Sequence, residues 1–240
     1  MRPVVKEELK ESEFFERYQD AKPRLIENLG SYCSYCEIHL PLLRNCDVEH
    51  VQPKGYKDKD GNLIYANLET DWSNFLLSCS TCNGPDNKGV KNVLLGECHL
   101  PHLNNTFLSL EYLQGGAIIV NRKLTGDSKV HAENLLKLVG LFKDDGNSFP
   151  SDNRWKLRYE SWNKATRYLE KYKNKEIDGS VILDLVISEG MWSIWFTVFK
   201  GHDEVRKALI DEFLGTAKEC FDANNHYEPI ERNPGKPDPV

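Results

Sequence analysis

The sequence predicts an α+β fold in which helical segments flank an irregular, short-stranded and cysteine-bearing middle. Three observations carry that prediction. Apolar residues recur at helical spacing before residue 30 and again after residue 127, whereas the stretch between them loses the long period. The middle stretch carries two Cys-x-x-Cys pairs, Cys33/Cys36 and Cys79/Cys82. A hydrophobic content of 40% in 240 residues, with ten Phe, ten Tyr and five Trp, is sufficient for a packed core.

Residues 1–30 read as an N-terminal helical segment, in which Leu9, Phe14, Phe15, Tyr18, Leu25, Ile26 and Leu29 recur among charges. Pro23 is expected to split the run into two short helices, because proline lacks the N–H a helix interior needs. Residues 31–126 form the middle unit, with short apolar runs at 74–77 and 117–120 as strands between Gly, Asn and Asp punctuation. Residues 57–62, Lys-Asp-Lys-Asp-Gly-Asn, predict a polar loop projecting into solvent. Over 127–224 helical spacing returns in blocks at 130–142, 153–175 and 180–223, the last open to a break at Gly201-His202. These blocks predict a C-terminal helical lobe. Residues 181–199 are apolar and long enough for a bilayer, but Asp184, Glu189 and Gly190 interrupt them, so they read as a buried helix. Residues 225–240 hold Pro229, Pro234, Pro237 and Pro239 with little to bury, which predicts a flexible Pro-rich tail or a docking strand.

Residues 1–10 are polar and charged and lack the apolar core of an export leader, so a cytoplasmic protein is expected. In that compartment seven cysteines imply reduced thiols and metal binding rather than a disulfide framework. The formal charge of -6 argues against tight unaided binding to a polyanion, whose affinity comes from Lys and Arg neutralising phosphates. Lys54, Lys57, Lys59, Lys88 and Lys91, bound cations or a partner protein would have to offset the repulsion.

Each Cys-x-x-Cys spacing lets one tight turn present two thiolates, and two such turns complete a tetrahedral four-sulfur site. With all four positions filled by protein, Cys33, Cys36, Cys79 and Cys82 predict structural zinc and leave no vacancy for a reacting water. Glu37 and His39, beside the first pair, therefore read as local hydrogen-bonding groups. Cys46, Cys98 and Cys220 read as buried or incidental thiols. Glu97-Cys98-His99-Leu100-Pro101-His102 is metal-like in composition, but its spacing matches no closed site and it reads as a loop. Between the cysteine pairs lies Val48-Glu49-His50-Val51-Gln52-Pro53, an acid and a histidine in a short strand-like run ended by proline.

The order Cys-x-x-Cys, Glu49-His50-x-x-Pro53, Asn74, Cys-x-x-Cys-Asn83 and then Lys88 resembles the HNH (ββα-metal) endonucleases of the zinc-stabilised type. The match covers residues 33–89, about a quarter of the chain. The resemblance implies a hairpin bearing the histidine, crossed by a helix bearing the last metal ligand. It assigns His50 as general base, Glu49 and Asn83 as ligands of a catalytic divalent cation such as Mg²⁺, and Asn74 as the residue that pins the loop or orients the histidine. Lys88 and Lys91 become phosphate contacts. Lysine comes two residues later here than in the family's usual Asn-x-x-Lys, so Asn87 and Asp86 stay open as the second ligand. The chemistry agrees: phosphodiester hydrolysis needs an activated water and a cation for the charge that builds on phosphate. A histidine with an ordinary pKa near 6.5 has a free ring nitrogen at neutral pH. Glu49 and His50 are adjacent, so on a regular strand they point to opposite faces and require a distortion or a bridging metal and substrate.

A looser likeness, in Lys22-Pro23-Arg24-Leu25, Gly115-Gly116 and the 130–141 run, is to the HNH effectors of retrons and Septu-type anti-phage defence. It implies a bacterial cytoplasmic nuclease of DNA that docks on an ABC-like ATPase and is held in check until infection. Two rivals remain. One is a stand-alone restriction-type HNH nuclease that reads DNA with the aromatic and basic residues of 154–172. The other is a non-catalytic zinc-knot adaptor, against which the joint presence of Glu49, His50 and Asn83 speaks.

Overall fold

The computed structural model describes residues 1–10, 12–40, 46–142 and 152–240. Its architecture is α+β, with small two-stranded sheets among helices. Strands β1 (Asp47–His50) and β2 (Phe75–Ser78) pair antiparallel, with Asp47 opposite Ser78 and His50 opposite Phe75. All of β2 is buried, which explains its unbroken apolar run: neither face meets water, so no alternation is required. Helix α1 (Lys22–Leu29) packs on β2. One helical turn, α2 (Ser80–Asn83), follows β2 and starts where the Cys79 sulfur accepts the Cys82 N–H. It stops at Gly84, whose helical conformation the following Pro85 disfavours. Residues 84–100 contain no helix, so beyond the single turn α2 the crossing helix that the resemblance implies is not found after β2.

Residues 1–10 and 12–17 contain no helix, contrary to the expected helical segment. A 3-10 turn at Tyr18–Ala21 runs directly into α1, so there are two short helical pieces here, and Pro23 lies in the first turn of the second, where a residue has no helical acceptor for its missing N–H. Further on, α3 (Thr106–Ser109) leads into a hairpin of β3 (Leu110–Tyr112) and β4 (Ile118–Val120), which turns at Gly115-Gly116. Helices α4 (Gly126–Val139) and α5 (Arg154–Lys173) follow. The block expected over 180–223 divides into α6 (Gly179–Glu189), α7 (Trp192–Val198) and α8 (Asp203–Glu212), then β5 (Phe221–Asp222), which pairs with β6 (Glu228–Pro229).

The unforeseen break, between α6 and α7, has a steric cause. Gly190 adopts φ +80° in a bridge to Ile38, and a Cβ there would stand 2.2 Å from the Glu37 carbonyl oxygen and 2.9 Å from the His39 nitrogen. Only glycine permits this approach, which ties the helices to the first cysteine turn. The Glu37 carboxylate completes the joint by accepting from the Arg2 backbone N–H at 2.5 Å, Ser193 N–H at 3.0 Å and Ser193 O–H at 2.6 Å. Glu37 thus has the local hydrogen-bonding role its position predicts.

One buried apolar cluster runs from Met1 to Phe221 and joins the β1–β2 hairpin to the helices. Its aromatic centre is Trp192 stacked on Phe196 at 4.5 Å, with Phe107 and Phe221 against them. No helix among the described residues is long and apolar enough to cross a membrane. Residues 225–240 are docked rather than free: Arg232 donates to the backbone oxygens of Pro101 and Val4, each at 3.1 Å. These polar partners, together with the buried Val240 and with Tyr227 packed on the core, hold this segment, and composition alone does not reveal such partners.

Candidate functional site

Cys33, Cys36, Cys79 and Cys82 come together as one buried group with all four sulfurs within 4.8 Å of one another. The Ser34 N–H donates to the Leu77 carbonyl at 2.8 Å and seats the first turn on β2, while the second turn is the start of α2. In each turn a backbone N–H points back at sulfur, Cys36 to Cys33 at 3.5 Å and Cys82 to Cys79 at 3.4 Å. The Cys36 and Cys79 sulfurs are 3.6 Å apart. Sulfurs bound tetrahedrally at about 2.3 Å from an ion stand about 3.8 Å apart, whereas a disulfide requires about 2.05 Å. The group can therefore hold a metal ion such as zinc. Arg154 lies beside it: Nη1 is 3.0 Å from the Cys82 sulfur and 2.7 Å from the Val139 oxygen, and Nη2 is 2.6 Å from Asp152. Burial opposes the guanidinium charge, but Asp152 and the neighbouring sulfurs hold it well above its ordinary value. Cys46, Cys98 and Cys220 are buried free thiols outside the group.

His50 ends β1, and its Nε2 lies 2.9 Å from the Glu69 carbonyl oxygen. A carbonyl only accepts, so Nε2 carries the proton and Nδ1 keeps the lone pair. Nδ1 has no hydrogen-bond partner among the described residues. Tyr18 at 4.9 Å and Phe75 at 5.1 Å meet the ring edge-on and fix its plane. Lys54 joins this edge, its ammonium 4.0 Å over the Tyr18 ring and 2.5 Å from the Glu69 carboxylate. Burial moves the His50 imidazole below its ordinary value, the Glu69 carbonyl works against that, and Lys54 and Lys88 add to it.

Asn74 has a bracing role. Its Oδ1 accepts from Gln52 N–H at 2.7 Å, and its Nδ2 donates to the Gln52 oxygen at 2.9 Å and the Leu68 oxygen at 3.4 Å. It clamps the turn after His50 to the segment that leads into Glu69.

Glu49 and His50 have different surroundings, as strand alternation requires. The Glu49 carboxylate is 1% exposed; its Oε1 is 2.5 Å from the Lys88 ammonium and accepts from Tyr35 O–H at 3.4 Å. Burial pushes this carboxyl up to about 7, with Lys88 acting in the opposite sense. Its Oε2 is buried without a hydrogen-bond partner. Lys88 also donates to the His50 carbonyl at 2.6 Å. The placement of Lys88 as a phosphate contact is corrected here: the side chain is 1% exposed and neutralises Glu49. Sequence position alone does not distinguish a solvated lysine from one folded inward onto a distant carboxylate. Lys91, by contrast, is exposed.

Asn83 closes α2 half-buried, and its side chain makes no hydrogen bond among the described residues. Of the alternatives, Asn87 is buried and donates to the Thr81 oxygen at 2.8 Å, while Asp86 is exposed. Replacing Lys88 by methionine should destabilise the fold by about 3–5 kcal/mol, because it strands the buried Glu49 charge. The double variant Glu49→Leu/Lys88→Met should recover most of that loss. Urea unfolding measures both; a single-variant loss below about 1 kcal/mol would remove the pair from the core's energetics.

Of the basic residues of α5, Arg154 and Arg158 are buried, Lys164 pairs with Glu189 at 2.5 Å and Lys156 with Glu160 at 3.9 Å, while Arg167 and Lys171 are exposed. Sequence reasoning missed the Glu69 carbonyl, which carries no side-chain signal, and Arg154 as a partner of sulfur. No protein-family model matches the chain, and no curated protein matches it.

Proposed function

We propose that this chain is a metal-dependent HNH endonuclease that hydrolyses DNA phosphodiester bonds, with His50 as its general base and structural zinc in the four-cysteine group. The observation that carries the reading is the fixed imidazole. A backbone carbonyl holds the proton on Nε2, two aromatic edges hold the plane, and Nδ1 is left as the proton acceptor, on the same β1–β2 hairpin that leads into the second cysteine turn. A buried histidine of purely structural use has both nitrogens engaged more often than one.

In this reading Nδ1 of His50 takes the proton of a water that attacks phosphorus, and the Glu69 carbonyl steadies the imidazolium that forms. Asn74 keeps the Glu69 segment and the turn after His50 in register, a positioning role. Lys54 and the exposed Lys91 attract the phosphate backbone. A divalent cation such as Mg²⁺, when bound, would neutralise charge developing on the phosphate. The resemblance gives Glu49 and Asn83 as its holders; the half-buried Asn83 amide is uncommitted, but Glu49 is 1% exposed and already paired with Lys88, so it does not fit that role as the side chains stand. The net charge of -6 supports capture of DNA with a partner rather than alone. Following the resemblance, that partner is an ABC-like ATPase in a cytoplasmic anti-phage complex. Co-purification from the native operon tests this part, and a chain recovered without any ATPase would count against it.

The pH dependence tests the base directly. The base form of His50 must be present, and its folded pKa lies below the ordinary 6.5. Cleavage should therefore be flat at and above pH 6.5 and fall only on further acidification. An acid limb centred above 6.5 would point to another base.

A further inference from the structure

Residues 97–102, which read as a loop despite their metal-like composition, contribute to a second convergence of ligand-bearing side chains. His99 precedes α3, His131 lies on α4 and Asp238 lies in the docked 225–240 segment, yet their ligating atoms are all within 4.8 Å of one another. Asp238 Oδ2 is 2.9 Å from His99 Nε2 and 2.5 Å from His131 Nδ1. We propose that His99, His131 and Asp238 form a second metal site, binding one Zn²⁺ ion through two imidazole nitrogens and one carboxylate oxygen.

Three features support it. The far sides of two ligands are already fixed by neighbours: Ser109 Oγ lies 2.7 Å from His99 Nδ1, and Ser128 donates to Asp238 Oδ1 at 2.6 Å. Orientation of this kind is what metal-binding histidines and carboxylates receive from the groups behind them. The His99 backbone N–H also donates to the His131 oxygen at 3.3 Å, which holds the two imidazole-bearing segments together. Finally, the trio faces an open cavity of about 520 Å³, lined also by Leu103, Asn104, Asp127 and Lys236. That leaves the fourth position to water, the arrangement of three protein ligands and one exchangeable position. Mixed nitrogen and oxygen donors suit zinc and exclude the sulfur chemistry of the cysteine group.

Ligands at about 2.0–2.1 Å from an ion stand about 3.3 Å apart, so the hydrogen-bonded trio must open slightly to admit one. On binding, Zn²⁺ takes the place of the protons that the imidazoles share with Asp238, and each proton moves to the other ring nitrogen: Nδ1 of His99, where Ser109 accepts it, and Nε2 of His131. His131 and Asp238 are partly exposed at the cavity edge and have room to do so. The inference is independent of the nuclease reading, since none of these residues touches the His50 site.

The experiment is calorimetric titration of Zn²⁺ into the full-length chain already carrying one zinc in the cysteine group, with total zinc counted by elemental analysis. The wild-type chain should take up one further equivalent; Asp238→Ala and His131→Ala should not, while keeping the cysteine-bound ion and an unchanged far-ultraviolet circular dichroism spectrum. Because either variant also loses hydrogen bonds, Co²⁺ provides a second reading on the wild-type chain: the added equivalent should show weak visible bands without sulfur-to-cobalt charge transfer. No further uptake of Zn²⁺ or Co²⁺, or equal uptake by the variants, would reduce the trio to a hydrogen-bonded clasp and overturn the proposal.

Discussion

Cys79→Ser should leave no native, metal-loaded protein at 25 °C. The Cys79 sulfur lies 3.6 Å from that of Cys36, accepts the N–H that starts α2 and terminates β2, so one atom joins both cysteine turns to the hairpin. A structural zinc site contributes about 10–16 kcal/mol of apparent binding energy, which appears as folding energy. Whole domains are stable by only about 5–15 kcal/mol, so losing one of four ligands removes most or all of the margin. The effect should spread, because the first turn is locked to α6 and α7 through Gly190 and Glu37. Circular dichroism with elemental analysis of zinc reads the result. A strong chelator should unfold the wild-type chain in the same way, and a soluble, native-like Cys79→Ser protein free of metal would contradict the assignment.

His50→Ala should lower metal-dependent DNA cleavage by about 10²–10⁴, the usual contribution of a general base. The fold and the cysteine-bound metal should persist, because His50 lies at the end of β1 and joins no ligand group. His50→Gln is the informative companion: its Nε2 keeps a donor for the Glu69 carbonyl but it offers no basic nitrogen, so it should restore stability and not cleavage. Recovery of cleavage in His50→Gln would assign the ring a packing role. Together the variants separate the proton acceptor from the wedge that Tyr18 and Phe75 hold.

Features encoded within a few residues were legible in the sequence. The four cysteines announce their group by spacing, and the apolar run ahead of Cys79 announces β2. Features made by distant approach were not. Pro23 opens a helix because of where α1 begins, which depends on packing against β2. The α6–α7 break follows from Glu37 pressing on Gly190, a contact between segments far apart in the chain. Lys88 turned inward because Glu49 is buried one strand away. Asp238 met His99 and His131 only through docking of residues 225–240, for which the prolines left both a free tail and a docking strand open. Within the candidate site, His50 and Asn74 sit together around one turn, and Glu49 occupies the other face of β1, as two-residue alternation demands.

The decisive measurement is nicking of supercoiled plasmid by the purified full-length chain at low ionic strength, followed with and without Mg²⁺ at constant zinc. Wild-type protein should nick only when Mg²⁺ is present, and His50→Ala prepared alongside should leave the plasmid intact. Equal nicking by the two proteins, or intact plasmid with wild-type protein in Mg²⁺ and in Mn²⁺, would contradict a hydrolase centred on His50.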